Sequence, residues 1–391
     1  MVSLTSLAAT LLLFATVSLS SPAPASVKLP APTGPHKHIG TYAETLTDPA
    51  RLELFGPKIG KPRRIVAQAY YPIAKKPKGA TAKYGSDLTL NVFGTAYGLP
   101  NGTLSSVYTN SYLDVGSPCP DTSRGKLIPL IFSTGMGNSR VLYQTYYEQL
   151  ASQGYFVVAI DHPYDASIVE FPEGGEPAYS AFPTDDLPDK ELFKLIETYL
   201  DVRVADAAFV AQTLATYGLN KILDLDRLGM FGHSLGGATS VGAIAATANK
   251  TVKIRAGINM DGMIVGKYQY INVKRPVLIL GTQVHNSSGP DDLTWAVFKK
   301  AQNPSLFREI IGQGFRHGTY SDLNTLVELL GIDKLISVEI IQELLGTVKA
   351  VRARAAVSAY LEAFFAYSLQ GVPTTLLDKD SPRFPEFKIK P

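Results

Sequence analysis

Arg227-Leu-Gly-Met-Phe-Gly-His-Ser-Leu-Gly-Gly-Ala-Thr239 is the stretch on which the fold of this chain turns. Its centre, Gly232-His233-Ser234-Leu235-Gly236, fits Gly-x-Ser-x-Gly. That pattern marks a nucleophile elbow, a turn so sharp that the serine backbone is strained and side chains two residues either side would collide. Glycine at 232 and 236 removes the collision and lifts the Ser234 hydroxyl above the edge of a sheet. The pentapeptide alone is common, so its flanks decide its weight. Arg227 to Phe231 reads as a short buried strand running into the turn. Leu235 to Ala248 is rich in Ala and Gly and lacks Pro, as a helix packed closely on that strand requires. The strand–turn–helix frame is present.

A serine hydroxyl is a poor nucleophile at neutral pH and needs a base to take its proton. The base needs an acid to hold its tautomer and stabilise the imidazolium. In elbows of this kind the chain order is serine, acid, histidine. Only His285 and His317 follow Ser234. His317 lies in Gly312-Gln-Gly-Phe-Arg-His-Gly318, after the last expected strand, and is the candidate base; His285 sits beside Asn286 in a polar loop. The acid has two placements. Asp261 ends the strand Ile254 to Met260 directly, where a carboxylate is held rigidly. Asp291 and Asp292 follow the next strand in a loop of Asn, Ser, Gly and Pro that should move. Position favours Asp261. The oxyanion of the tetrahedral intermediate needs two backbone N–H donors. Leu235, directly after the serine, supplies one. Met136, in Ser133-Thr-Gly-Met-Gly137 after the strand Leu127 to Phe132, is the candidate for the other.

Composition bounds the partners. Of 391 residues, 45% are hydrophobic, ample for a large buried core, and the net charge of +3 is close to neutral. The basic clusters are short (Arg63-Arg64, Lys75-Lys76), which argues against nucleic acid. No calcium loop or His-rich zinc motif appears, so no metal or other cofactor is expected. Met1 to Ser21 has the apolar core, Leu7 to Leu19, of a secretory signal, with cleavage expected after Ser20 or, alternatively, Ala25; it lacks the usual basic residues at its start. Asn101, Asn249 and Asn286 open Asn-x-Ser/Thr sequons and are candidates for N-glycosylation, compatible with an exported, extracellular protein. Cys119 is the sole cysteine, so no intrachain disulfide can form.

Along the chain, 21–38 is Pro- and Ala-rich and reads as a disordered lead-in. Arg64–Tyr71, Leu127–Phe132, Tyr155–Ile160, Ile254–Met260, Val277–Leu280 and Phe307–Ile311 read as strands. Arg140–Gln153 and Leu192–Tyr217 read as helices, and Leu323–Leu369 is helix-dominated. Residues 163–190 look like an excursion over the sheet edge. Strands alternating with helices imply one α/β domain over 39–391, with a mostly parallel sheet covered by helices on both faces. Leu323 to Leu345 alternates apolar residues with Glu328, Asp333, Lys334, Glu339 and Glu343, the pattern of amphipathic helices that cover a sheet or touch a lipid interface weakly.

Several separated segments resemble the plasma-type platelet-activating-factor acetylhydrolases. They are Gly-His-Ser-Leu-Gly-Gly-Ala-Thr (232–239), Ile-Asn-Met-Asp-Gly (258–262), Phe-Arg-His (315–317), Pro-Leu-Ile-Phe-Ser-Thr-Gly-Met-Gly (129–137) and Leu-Ala-Ser-Gln-Gly-Tyr-Phe-Val-Val-Ala-Ile-Asp-His (150–162). The resemblance runs loosely from Ile39 to Gly371. It implies the α/β-hydrolase fold, Asp261 as the acid, and a secreted, calcium-independent serine esterase that cleaves short or oxidised sn-2 acyl chains from phospholipids through an acyl-enzyme. Where that family usually shows Ser-His-Gly before the oxyanion donor, this chain has Ser133-Thr134-Gly135. A cutinase- or polyester-hydrolase-like esterase shares the elbow and is the nearest alternative. An inactive hydrolase fold used for binding is the alternative of another class, and such folds typically lack the nucleophile or the base.

Overall fold

The computed structural model describes residues 26–113, 119–184, 186–216, 218–289, 292–334 and 336–390; the expected signal segment 1–20 and Asp291 lie outside them. Ten strands form the main sheet: β1 (Ile39–Leu52), β2 (Pro62–Pro72), β3 (Ser111–Leu113), β4 (Ile128–Ser133), β5 (Tyr155–Asp161), β6 (Gly229–His233), β7 (Ala256–Met260), β8 (Val277–Thr282), β9 (Phe307–Gly312) and β10 (Phe387–Lys390). Their spatial order is β10-β9-β8-β7-β6-β4-β5-β2-β1-β3. The central six, β9 through β5, are parallel to one another, and antiparallel pairings join β10 to β9, β2 to β5 and β1 to β2.

The central strands are buried on both faces, so each reads as a continuous apolar run while its side chains still alternate. In β4, Leu130 and Phe132 join the core on one face and Ile131 the core on the other. The first core is closed by helices α1 (Asp87–Ala96), α2 (Gln144–Ser152), α6 (Leu323–Leu329) and α8 (Ala350–Gln370). The second is closed by α3 (Asp189–Thr213), α4 (Leu235–Thr247) and α5 (Thr294–Ala301). A further short helix, α7 (Val338–Leu345), lies between α6 and α8 and has little buried surface. Both faces are thus covered, as the alternation of strands and helices requires. No helix among the described residues is long and apolar enough to cross a membrane.

Two segments depart from the sequence reading. Residues 26–38 are not a loose lead-in: Val27–Lys28 pairs in parallel with Val107–Tyr108, and Leu29 is 2% exposed. Gly34 makes this docking fit, since its N–H donates to Ser152 Oγ at 3.0 Å and a Cβ there would meet the Ser152 carbonyl at 2.3 Å. Nor is 163–190 wholly a surface excursion. Tyr164, Asp165, Ala166, Ile168 and Val169 are buried, whereas residues 172–176, Tyr179, Ser180 and most of the described residues of 183–190 reach solvent. β1 was not legible because its sequence, with Thr, Glu, Asp and Pro, suits a strand near the sheet edge that half faces water.

The direction of the chain reverses between β4 and β6. β5 extends the sheet on one side of β4, and β6 through β9 extend it on the other. Loops leaving the carboxyl ends of two such strands diverge and open a crevice, the place where open α/β sheets bind ligands. The loops after β4 and β6 are the Gly135 loop and the Ser234 elbow.

Candidate active site

β6 delivers Ser234. Its backbone sits at φ 56°, ψ −130°, a region that costs a non-glycine residue about 1–3 kcal/mol. The surroundings over-determine it. Ser234 N donates to Met260 O and Gly237 N donates to Ser234 O, each at 2.8 Å. A Cβ on Gly232 would lie 2.2 Å from the Gly236 carbonyl, and one on Gly236 would lie 2.0 Å from the Ser133 carbonyl. The elbow therefore needs both glycines, and Ser234 is 9% exposed at the head of α4.

Pairing register brings the other groups level with it. Gly232 is opposite Ser133 and His233 opposite Met260, so Asp261 emerges beside Ser234. Asp261 is itself in the left-handed region (φ 56°) and is pinned by its N–H to Leu280 O at 2.8 Å. A Cβ on the next residue, Gly262, would lie 1.9 Å from Ser234 O, so the two turns nest. His317 comes from the loop after β9, and its Nδ1 is 2.7 Å from Asp261 Oδ2. Because the carboxylate can only accept, Nδ1 carries the proton and Nε2 is left to act as a base. Among the described residues no hydrogen bond joins Ser234 to His317; such contacts often tighten only when substrate binds. Burial alone would raise the Asp261 carboxyl, yet His285 and then His317 hold it at about 2, so it is ionised.

The β4 loop closes the other side. A Cβ on Gly135 would lie 3.3 Å from Ser234 Cβ. The amides flanking Met136 are taken: Gly135 N by Tyr143 Oη at 3.1 Å and Gly137 N by Asp165 Oδ1 at 3.4 Å. Neither Met136 N nor Leu235 N donates in any described hydrogen bond, and Leu235 N is one of the unpaired first-turn amides of α4. The two expected oxyanion donors are thus unclaimed.

Sequence reasoning missed what supports this loop. Arg203 of α3, fully buried, pairs with Asp165 and donates to the carbonyls of Thr134 and Gly135. His233 Nε2 donates to the His317 carbonyl at 3.0 Å, so its Nδ1 accepts from Tyr143, whose oxygen in turn accepts from Gly135 N. One chain of hydrogen bonds therefore links the base loop to the oxyanion loop. Burial, then the neighbouring His317, keeps His233 neutral. No periodicity announces these residues; they are polar positions inside helices and loops.

A second Ser-His-Asp set gives a useful contrast. Ser133 Oγ is 2.9 Å from His162 Nε2, and His162 Nδ1 is 2.8 Å from Asp206 Oδ2. All three are fully buried, and Asp206 is also gripped by Arg63. A substrate cannot reach them. They brace the end of β4.

One expectation about the neighbours is corrected. Asp292 is not in a mobile loop: it is 4% exposed, caps Thr294 N at 2.6 Å and contacts His285 Nε2 at 2.7 Å. His285, in the polar loop expected, is held there by its Nδ1, 3.0 Å from Asp261 Oδ1. Of the sequons, Asn101 and Asn249 are exposed, whereas Asn286 is half-buried and bonded to Gln283 O and Lys390 Nζ. Cys119 is exposed. No group of three or more His, Cys, Asp or Glu side chains among the described residues is placed to hold a metal ion.

This frame can be set beside known proteins. Residues 87–173 and 190–360 match the family model of platelet-activating factor acetylhydrolase, isoform II. The chain belongs to this family. It is also 30% identical, over 94% of its length and 95% of the relative's, to a probable 1-alkyl-2-acetylglycerophosphocholine esterase of Arthroderma benhamiae. Among solved structures, a ferulic acid esterase from Streptomyces cinnamoneus superposes with a TM-score of 0.79 at 29% identity, covering 94% of this chain and 100% of that one. The protein is a carboxylic ester hydrolase with an α/β-hydrolase fold.

Proposed function

We propose that this is a secreted serine esterase that hydrolyses short or oxidised sn-2 acyl esters of phospholipids. The observation that carries the reading is the convergence of three strand ends: Ser234 on its strained elbow, Asp261 beside it, and His317 at 2.7 Å from that carboxylate. Ser234 Oγ attacks the ester carbonyl while His317 Nε2 takes its proton. The amides of Leu235 and Met136 hold the oxyanion. Collapse expels the lysophospholipid alcohol, which leaves with the proton from His317. Water then attacks the acyl-enzyme with His317 again as base, releasing the free acid.

The choice of substrate rests on the family and on the surface beside the base. An apolar cleft lined by Phe93, Tyr97, Leu142, Leu326 and Leu345 borders Gly318, the residue after His317, and suits an acyl chain. The amphipathic segment 323–345 forms one wall of it, where a weak contact with a lipid interface would hand substrate to the site. Export rests on the apolar segment Leu7–Leu19 and the exposed sequons at Asn101 and Asn249.

The structural neighbour's name supports a second reading, an esterase of soluble aromatic esters, and the cutinase-like alternative adds polyesters. One panel separates them: an acetyl-phospholipid, an oxidised phospholipid, methyl ferulate and a polyester film. The phospholipids should be cleaved with the highest kcat/KM; a preference for methyl ferulate or the film would replace this reading. A fluorophosphonate probe should label the wild-type protein, and Ser234→Ala should abolish labelling and lower turnover by roughly 10³-fold or more with the fold intact. Undiminished turnover in folded Ser234→Ala would sink the mechanism.

A further inference from the structure

Both nitrogens of the His285 ring face carboxylates: Nδ1 lies 3.0 Å from Asp261 Oδ1 and Nε2 lies 2.7 Å from Asp292 Oδ2. Ionised carboxylates only accept, so the ring satisfies both by carrying a proton on each nitrogen. Its plane is fixed as well. Trp295 stacks on it with centroids 3.9 Å apart, and Trp295 Nε1 donates at 2.7 Å to the carbonyl of Gly262, in the same turn that carries Asp261. With Oδ2 given to His317, each oxygen of Asp261 thus holds one histidine.

Charge explains why a second carboxylate is present. A lone cation on Asp261 would cancel the negative charge that must stabilise His317 when it is protonated in the transition state. Asp292 restores it: two carboxylates and one imidazolium leave a net charge of −1 behind His317. The side chains in contact with His285 are Asp261 at the end of β7, Asp292 just before α5 and Trp295 in its first turn; His317 shares the Asp261 carboxylate, and the Tyr320 phenol donates to Gly281 O on β8. Across the His285 loop stands Glu309, bonded to Ser287 and paired with Lys299, with Lys390 nearby on Asn286.

We propose that His285 and Asp292 are positioning residues of this active site. Together they lock the Asp261 carboxylate and set the charge against which His317 is protonated. The proposal rests on Ser234, Asp261 and His317 being the catalytic set. Burial would lower the His285 imidazolium, but Asp261 and then Asp292 push it up to about 10, in keeping with the geometry.

The test is the pH dependence of kcat/KM for Asp292→Ala and for the double variant Asp292→Ala/His285→Gln, with folding followed by circular dichroism. Asp292→Ala removes the second carboxylate and presents no donor to Nε2, so the imidazolium on Asp261 is left unbalanced. It should lower kcat roughly tenfold with KM little changed. The midpoint of its acid limb should move down by about half a pH unit or more. Adding His285→Gln removes the unbalanced cation, so the midpoint should return toward wild type. A purely structural tether would leave the midpoint in place and make the double variant no better than the single; that result overturns the proposal. Nitrogen-15 spectra of the wild-type histidines give a readout independent of activity and of how the variants fold. His285 should remain an imidazolium at pH 8, and a neutral ring there overturns the proposal too. Failure of wild-type Ser234 to react with the fluorophosphonate would instead strike the triad reading, with the His285 spectrum standing apart from it.

Discussion

At the scale of the residue, the site depends on two backbones held where side-chain-bearing residues rarely sit, Ser234 and Asp261, both at φ 56°. Each is a strand-end residue followed by a close approach that a Cβ would block, at Gly236 and Gly262. The elbow glycines were legible because the motif encodes a steric rule. Asp261 was legible from its place at a strand end and from the family resemblance, with Asp291 and Asp292 in a later loop as the alternatives. Asp261→Asn should lower turnover by roughly 10³- to 10⁴-fold, because the amide cannot hold the His317 tautomer. Steady-state kinetics on a soluble ester check it, and a drop below tenfold would move the acid elsewhere. His285 escaped the reading because its meaning lies in its partners, Asp261 and Asp292, 24 and 7 residues away.

Elements carry the support. α3 crosses beneath the β4 loop so that Arg203, inside a helix with no motif, grips two carbonyls of the oxyanion loop and Asp165. Replacing Arg203 by Met strands a buried carboxylate, which should destabilise the fold by about 3–5 kcal/mol. Thermal melting should show that loss, with a fall in kcat in the fraction that stays folded. An unchanged kcat would leave Arg203 as a brace of the fold alone. On the opposite side, α6 and Val338–Leu345 wall the apolar cleft near Gly318. Leu326→Trp fills that cleft and should reduce kcat/KM for longer acyl chains more than for acetyl. Equal losses across chain lengths would place the acyl chain elsewhere. The amphipathic pattern of 323–345 was readable from sequence, but which residues face the cleft was not, because that is set by how the helices dock.

For the whole molecule, charge inside the sheet's carboxyl edge ties stability to pH. His285 is held at about 10 against an ordinary 6.5, so its contribution is complete below pH about 6.5 and is lost as pH rises through about 10. Urea melts at pH 6, 8 and 10 should therefore show stability declining faster in the wild type than in His285→Gln, and parallel declines would contradict this. The strand–turn–helix elbow and the buried central strands are written in the chain itself, because short-range sterics and period-two burial are local properties; the order of serine, acid and histidine followed from the elbow pattern. Which carboxylate meets His317, the docking of 26–38 on α2 and the joining of two aspartates by His285 are set by three-dimensional packing. Packing also walls off Ser133, His162 and Asp206 from substrate. These follow from strand order and register, which bring residues dozens of positions apart to one edge of the sheet, and no local pattern in the chain encodes that distance.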